Sequence, residues 1–208
     1  SEHAANLVPD VISGDLIAIA AIDEPTAESR MTPASSLSQT ESGWHLQGEK
    51  YWISAGASAT HFVVLADSCN GLAWVLVAKE AAGLSCETFP THDGKGGANC
   101  HFDLAISDDQ ILLMGDAAAD ALSAFRECAM VLSSAETLGA AQAALDTTVD
   151  YTKQREQFGQ PLASFQALQH RMANMLIQTE LTRSLVYAAC DAADRDALDR
   201  GRFARAAK

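Results

Sequence analysis

The stretch with the most chemistry per residue is "YTKQREQFGQPLASFQALQHRMANM", Tyr151–Met175. It reads as helix, a break at Phe158-Gly159-Gln160-Pro161, then helix again. Pro161 cannot continue a helix and Gly159 frees the backbone to turn. The break needs nothing more, yet it carries Arg155, Phe158 and Gln166. A guanidinium presents a rigid fork that matches a diphosphate, and amides can hold a heterocycle. The plainer reading makes Arg155 a cation favoured by the helix dipole and Phe158 a cap contact. On this segment alone the two readings weigh equally.

The bulk numbers restrict the partners. The net charge is -13 over 208 residues. A surface this acidic repels phosphate backbones, so nucleic acid is excluded as an expected partner, although a few local cations can still hold a small phosphorylated molecule. Hydrophobic residues make up 48% of the chain, enough for a packed core. The cysteines at 69, 86, 100, 128 and 190 are odd in number and widely spaced. That spacing argues against a disulfide framework and a zinc site, and predicts a reducing, cytoplasmic setting. No apolar run approaches a membrane span, and no basic-plus-apolar leader is present. The chain opens on Ser1, and "DRGRFARAAK" reads as a helix without a stop signal, so a piece of a longer protein is expected.

Two kinds of element must position these residues. Before Gly115, short apolar runs at 16–22, 61–67, 72–78 and 100–106 predict strands. "WHLQGEKYWIS" (44–54) predicts two strands joined by a tight turn at Gln47-Gly48. No long helical pattern separates them, so the fold class is α+β, opening with an antiparallel β-barrel or sandwich over residues 1–115. Residues 116–208 predict long antiparallel helices of an incomplete four-helix bundle. The first helix runs from Asp116 to about Lys153, with Leu122, Phe125, Leu132, Leu145 and Val149 near one face. The second starts near Ser164 as N-cap and runs to about Ala192, its stripe built from Leu168, Met172, Met175, Leu176 and Leu185. Two helices cannot bury all their faces, so further helices are expected, from this chain or another.

The helix-break-helix segment closely resembles that of acyl-CoA dehydrogenases, and the likeness continues upstream through "AETLGAAQAALDTTVDY". "SGDLIAIAAIDEP" is similar to the family's strand leading into its Thr-Glu-Pro loop. "WHLQGEKYWISAG" is similar to its Gly-x-Lys-x-Trp-Ile-Ser/Thr segment. These motifs occur in the family's order along nearly the whole chain. "FPTHDGKGGANCHFDLAI" looks most like the subgroup of pimeloyl-CoA dehydrogenase small subunits and bacterial sterol-degrading enzymes. The resemblance covers the end of a helical N-terminal domain, the middle β domain and the first half of the C-terminal bundle.

It implies a flavoenzyme that binds FAD and removes hydrogens from the α and β carbons of an acyl-CoA, with electrons passing to an electron-transfer flavoprotein. Trp52 corresponds to the tryptophan against the isoalloxazine ring, a task suited to a large flat face. Ser54 corresponds to the hydroxyl at flavin N5, able both to donate and to accept. Ile22 and Asp23 correspond to contacts at the pyrimidine edge, and Ser29 to a serine near a phosphate. Arg155 corresponds to a diphosphate ligand of a neighbouring subunit's FAD, Phe158 and Gln166 to contacts with its adenosine, and residues 151–154 to the substrate side. A dimer or tetramer, homomeric or heteromeric, follows. Two positions depart from the pattern. Asp23 replaces a threonine and Glu28 a glycine, and a carboxylate beside a flavin or phosphate is electrostatically unfavourable. The catalytic residue is unknown: the position of a base on the first long helix is Ala129, and Glu127 and Glu136 do not fall on it. The expected function is an acyl-CoA dehydrogenase, with a non-catalytic or half-site subunit of a heteromer as the alternative. A steroid-like, bulky or dicarboxyl acyl group is hinted at.

Overall fold

In the computed structural model, residues 2–25, 32–41, 43–195 and 199–208 are described. The chain divides into two compact units, Ser1–Ala121 and Leu122–Lys208.

The first unit opens with helix α1 (Glu2–Ser13) and is otherwise built on strands: β1 (Ala18–Ala21), β2 (Ser36–Thr40), β3 (Gly43–Ser54), β4 (His61–Ser68), β5 (Gly71–Ala78), β6 (Leu84–Phe89), β7 (Gly97–Ile106) and β8 (Ile111–Met114). The order across the sheet is β6-β7-β3-β2-β4-β5-β8. β4 shares one edge between β1, alongside His61–Val64, and β2, alongside Asp67 and Ser68, and both pairings are parallel. The sheet is therefore mixed, not purely antiparallel. Among the described residues β6 and β8 do not pair, so of the two expected forms, barrel or sandwich, the sheet does not close into the barrel. Residues buried along it form one apolar core, including Leu37, Leu46, Phe62, Val75, Phe102 and Ile106.

The segment 44–54 is one strand, not a hairpin. Gly48 carries no turn: a Cβ there would meet Ser35 Oγ at 2.4 Å, so glycine is required by close approach of the chain. The antiparallel neighbour of β3 on this side is β2, with Thr40 opposite Gly43. Cys86 and Cys100 are joined by a disulfide, against the sequence expectation. They stand directly opposite each other in the β6–β7 ladder. Register, not sequence spacing, decided their distance.

In the second unit, α2 (Asp116–Gln154, whose first turns belong to the first unit) ends in a small hairpin, β9 (Glu156–Gln157) and β10 (Gln160–Pro161). It is followed by α3 (Gln166–Asp194) and α4 (Arg200–Ala207). The start of α3 is capped by Phe165, not Ser164, whose hydroxyl instead donates to the Pro161 carbonyl at 2.7 Å. Val131, Leu138, Val186, Ala189, Ala204 and Ala207 form the helical core. Leu122 and Leu145 are buried as expected, while Phe125, Leu132, Leu176 and Leu185 are exposed. Few helices bury only a narrow stripe, and the remaining apolar positions stay on the surface. Among the described residues, no helix is long and apolar enough to cross a membrane.

Candidate functional site

The expected site residues fall into two groups, one in each unit. The first surrounds β3. Lys50 lies on this strand with none of its side chain exposed, a costly place for an ammonium unless it is paired. Its Nζ lies 2.6 Å from Glu24 Oε1 and donates to the Ile22 carbonyl at 3.3 Å. The same carboxylate accepts from the Ser35 and Ala34 backbone N–H groups and from the Ser35 hydroxyl. Burial acts to raise the Glu24 carboxyl, but this set of donors outweighs it and holds the group at about 2. Burial pushes the Lys50 ammonium below its ordinary value, with Glu24 and then the nearby Asp23 charge working against that shift. One residue on, the Tyr51 N–H donates to the Asp23 carbonyl at 2.9 Å. The segment 22–24 is thus tied to β3 through Lys50 and Tyr51. Ile22 is half-buried and Asp23 exposed.

Trp52 follows at an irregularity of the β3–β7 ladder, between Lys50 and Ile53. Its φ is 53°, a left-handed conformation that is rare for a bulky residue and that clusters at functional positions. The backbone is held there by its own N–H, which donates to Asn99 Oδ1 at 3.0 Å. The indole meets Phe89 edge to face at 5.1 Å between ring centres. Phe89 in turn lies over Gly97, where a Cβ would come within 2.5 Å of its ring. Despite this mounting, Trp52 is 72% exposed. Ile53 is buried, and Ser54, paired with Gly97, turns back to the surface. Ile22, Asp23, Trp52 and Ser54 are therefore brought to one part of the first unit. Ser29, with its neighbour Glu28, lies outside the described residues.

The second group sits on the hairpin after α2. Phe158 (φ 54°) and Gly159 (φ 79°) are its two turn residues, both left-handed, as a two-residue type I′ turn requires. Asn-Gly is the usual solution, and here the first position is a phenylalanine with 91% of its surface exposed. Phe165 touches it edge to face at 6.2 Å. Arg155 is exposed at the end of α2, its carbonyl accepting from the Leu162 N–H at 2.8 Å. Among the described residues its guanidinium makes no ion pair. Gln166 opens α3 and is exposed. The hairpin thus displays a cation, an aromatic ring and an amide.

Of the two carboxylates weighed on α2, Glu127 is bound to Arg200 at 2.7 Å, and Glu136 is exposed. Sequence reading gave no role to Glu24, Lys50, Asn99 or Phe89. A lysine inside an apolar strand pattern was the available signal for Lys50. Nothing local marked Asn99 or Phe89, which reach Trp52 only through strand register.

Comparison with known proteins now bears on this arrangement. "Acyl-CoA dehydrogenase, middle domain" matches residues 20–107, and "Acyl-CoA dehydrogenase, C-terminal domain" matches residues 119–208. The chain belongs to the acyl-CoA dehydrogenase family. Among its curated relatives, 3-sulfinopropanoyl-CoA desulfinase of Paraburkholderia xenovorans is 33% identical over 86% of this chain and 49% of that protein. The solved Tcur3481-Tcur3483 steroid ACAD variant is 32% identical, with a TM-score of 0.84, over 100% of this chain and 55% of that one. PigA with FAD and proline is 26% identical, with a TM-score of 0.91, over 100% of this chain and 56% of that one. The chain spans about half the length of the curated relatives it matches. The acyl-CoA dehydrogenase family is one of FAD-binding flavoproteins, and both groups of residues lie in its matched domains.

Proposed function

We propose that this chain is the flavin-holding part of an FAD-dependent acyl-CoA dehydrogenase that oxidises the α,β bond of an acyl-CoA thioester and passes electrons to an electron-transfer flavoprotein. The observation that carries the reading is the mounting of Trp52: a strained, exposed indole on a rigid strand, braced by Asn99 and Phe89. A free protein gains little from holding an aromatic this way, whereas a flat ring of isoalloxazine size would cover it. FAD, when bound, supplies the acceptor for the β hydrogen at flavin N5. Ser54 would offer its hydroxyl to that edge, and the tied segment Ile22-Asp23 would meet the pyrimidine edge. Ser29 would stand near a phosphate.

Arg155 would grip the diphosphate, and Phe158 and Gln166 the adenosine, of an FAD held by another copy or a related subunit. A dimer or larger assembly follows, because a ligand shared this way needs two chains. Glu127 is committed to Arg200 and is not read as the proton acceptor, which stays unassigned. The acyl group is read as bulky or steroid-derived, after the steroid relative. The reaction is not fixed by the scaffold, since one relative is a desulfinase of an acyl-CoA.

A second reading has a specific observation behind it. Asp23 is exposed and would put a carboxylate at the flavin edge, which suits a half-site subunit whose partner carries the working flavin. A visible absorption spectrum of the purified protein, with and without added FAD, separates the two. A flavin spectrum at close to one cofactor per chain supports the dehydrogenase. A colourless protein that takes FAD only with a partner chain supports the half-site subunit, and refusal under both conditions removes both.

A further inference from the structure

We propose that Cys86 and Cys100 form a reversible dithiol–disulfide couple that sets how firmly Trp52 is held. The two residues are direct partners in the β6–β7 ladder, with Cα atoms 4.2 Å apart. That separation marks a non-hydrogen-bonded antiparallel pair, where side chains are closest and no ladder bond crosses. Here the covalent bond supplies the link that the backbone does not.

Its position gives it a consequence. β6 is an end strand of the sheet, and among the described residues β7 is its only strand partner. An edge strand held on one side frays first. Three residues beyond Cys86, Phe89 pairs with Gly97 and meets Trp52. One residue before Cys100, Asn99 accepts the Trp52 N–H. Both supports of a left-handed tryptophan therefore lie within three residues of the bond. With the bond closed, β6 is pinned and Trp52 stays mounted. With it open, β6 can separate from β7, Phe89 leaves, and Trp52 loses one of its two supports and is held less firmly.

The exchange balances with a low-molecular-weight disulfide such as glutathione disulfide. Cys86 is half-buried and Cys100 buried, so Cys86 is the entry point. The Cys86 thiolate attacks one glutathione sulfur and releases the first glutathione thiolate. The Cys100 thiolate then attacks the Cys86 sulfur and releases the second. Two protein thiols are oxidised and one glutathione disulfide is reduced. In a reducing compartment the couple rests open, as a sensor, and elsewhere it rests closed. The other cysteines take no part: Cys69 and Cys128 are exposed and Cys190 is half-buried, all free.

The test needs no flavin, so its failure is distinct from failure of the proposed function. The protein is equilibrated with glutathione disulfide or with dithiothreitol, denatured and alkylated, and its thiols are counted and mapped. Amide hydrogen exchange is followed in parallel on the native protein. The expected result is three free thiols after oxidation and five after reduction, with Cys86 linked to Cys100. The Trp52 amide exchanges roughly tenfold faster in the reduced form, while peptides from α3 are unchanged. In the Cys86→Ser variant the redox dependence disappears and the reduced-form rate remains. Five free thiols under both conditions, or one Trp52 rate in both states of the wild type, overturns the proposal.

Discussion

The two groups of site residues are built on opposite plans. Around β3 everything is tied: Lys50 and Glu24 are buried against each other, Tyr51 holds Asp23, and Asn99 and Phe89 hold Trp52. On the hairpin after α2 little is tied. Arg155, Phe158 and Gln166 are exposed, and Phe165 touches the Phe158 ring edge to face. The first region carries its own support and so should resist loss of a ligand and suffer from loss of an internal contact. The second should tolerate substitution as a free protein and show its cost only when a cofactor or a neighbouring chain is present. A half that is preorganised and a half that waits for its partner make sense together if one ligand bridges two chains.

The sharpest way to break this contrast is at the buried pair. Glu24→Gln leaves the Lys50 ammonium buried without its counter-charge and should cost about 3–5 kcal/mol of stability in urea unfolding. A loss under about 1 kcal/mol would mean the pair is not the clamp. Acid probes the same group without mutation. Its folded value of about 2 lies below the ordinary 4.5, so the folded state binds fewer protons than the unfolded one. The Glu24 contribution, on the order of 3 kcal/mol, is whole above about pH 4.5 and is lost as pH falls toward 2. Glu24→Gln should flatten that part of the stability profile.

Arg155→Ala should do the reverse. Stability of the free chain should stay within about 0.5 kcal/mol of wild type, while FAD affinity drops roughly 10- to 100-fold, the worth of charge-assisted hydrogen bonds. Calorimetric titration reads the second and thermal unfolding the first. Trp52→Ala should weaken FAD by about tenfold, and its stability change tests how much of its mounting the free fold needs. The smallest effect is the most diagnostic in sign. Phe158→Asn puts a favoured residue in the first place of a type I′ turn, so it should stabilise the free chain by a few tenths to about 1 kcal/mol. The same change should weaken FAD binding. A phenylalanine kept only for the turn would give no such opposition.

Sequence legibility followed the same divide. The hairpin residues stood out because Arg155, Phe158 and Gln166 exceed what a helix connector needs, and they are close in sequence. Trp52 and Ser54 were legible through a motif, but the reason for the motif's lysine was not. Lys50 on β3 meets Glu24 in the segment after β1 across 26 residues, and Asn99 meets Trp52 across 47, and neither approach is marked locally. The α+β class was legible, but the choice between barrel and sandwich was not, because the β-rich runs say nothing of closure, and β4 shares an edge between two parallel neighbours that no local pattern announces. A glycine at 48 suggests a tight turn, but this glycine serves the close approach of Ser35. The cysteine spacing misled for the same reason: positions 14 apart became adjacent through the β6–β7 ladder.

One mixing experiment addresses the central claim, that the tied half of one chain and the open half of another hold a single flavin. Trp52→Ala and Arg155→Ala chains are purified separately, then mixed under conditions that allow subunit exchange. FAD binding is read from the visible spectrum at a concentration that neither variant alone can use. If the site is shared between chains, a mixed pair contains one site with both wild-type residues, and flavin binding reappears on mixing. If both residues serve the FAD of their own chain, every site in the mixture keeps a lesion, no binding returns, and the account is contradicted.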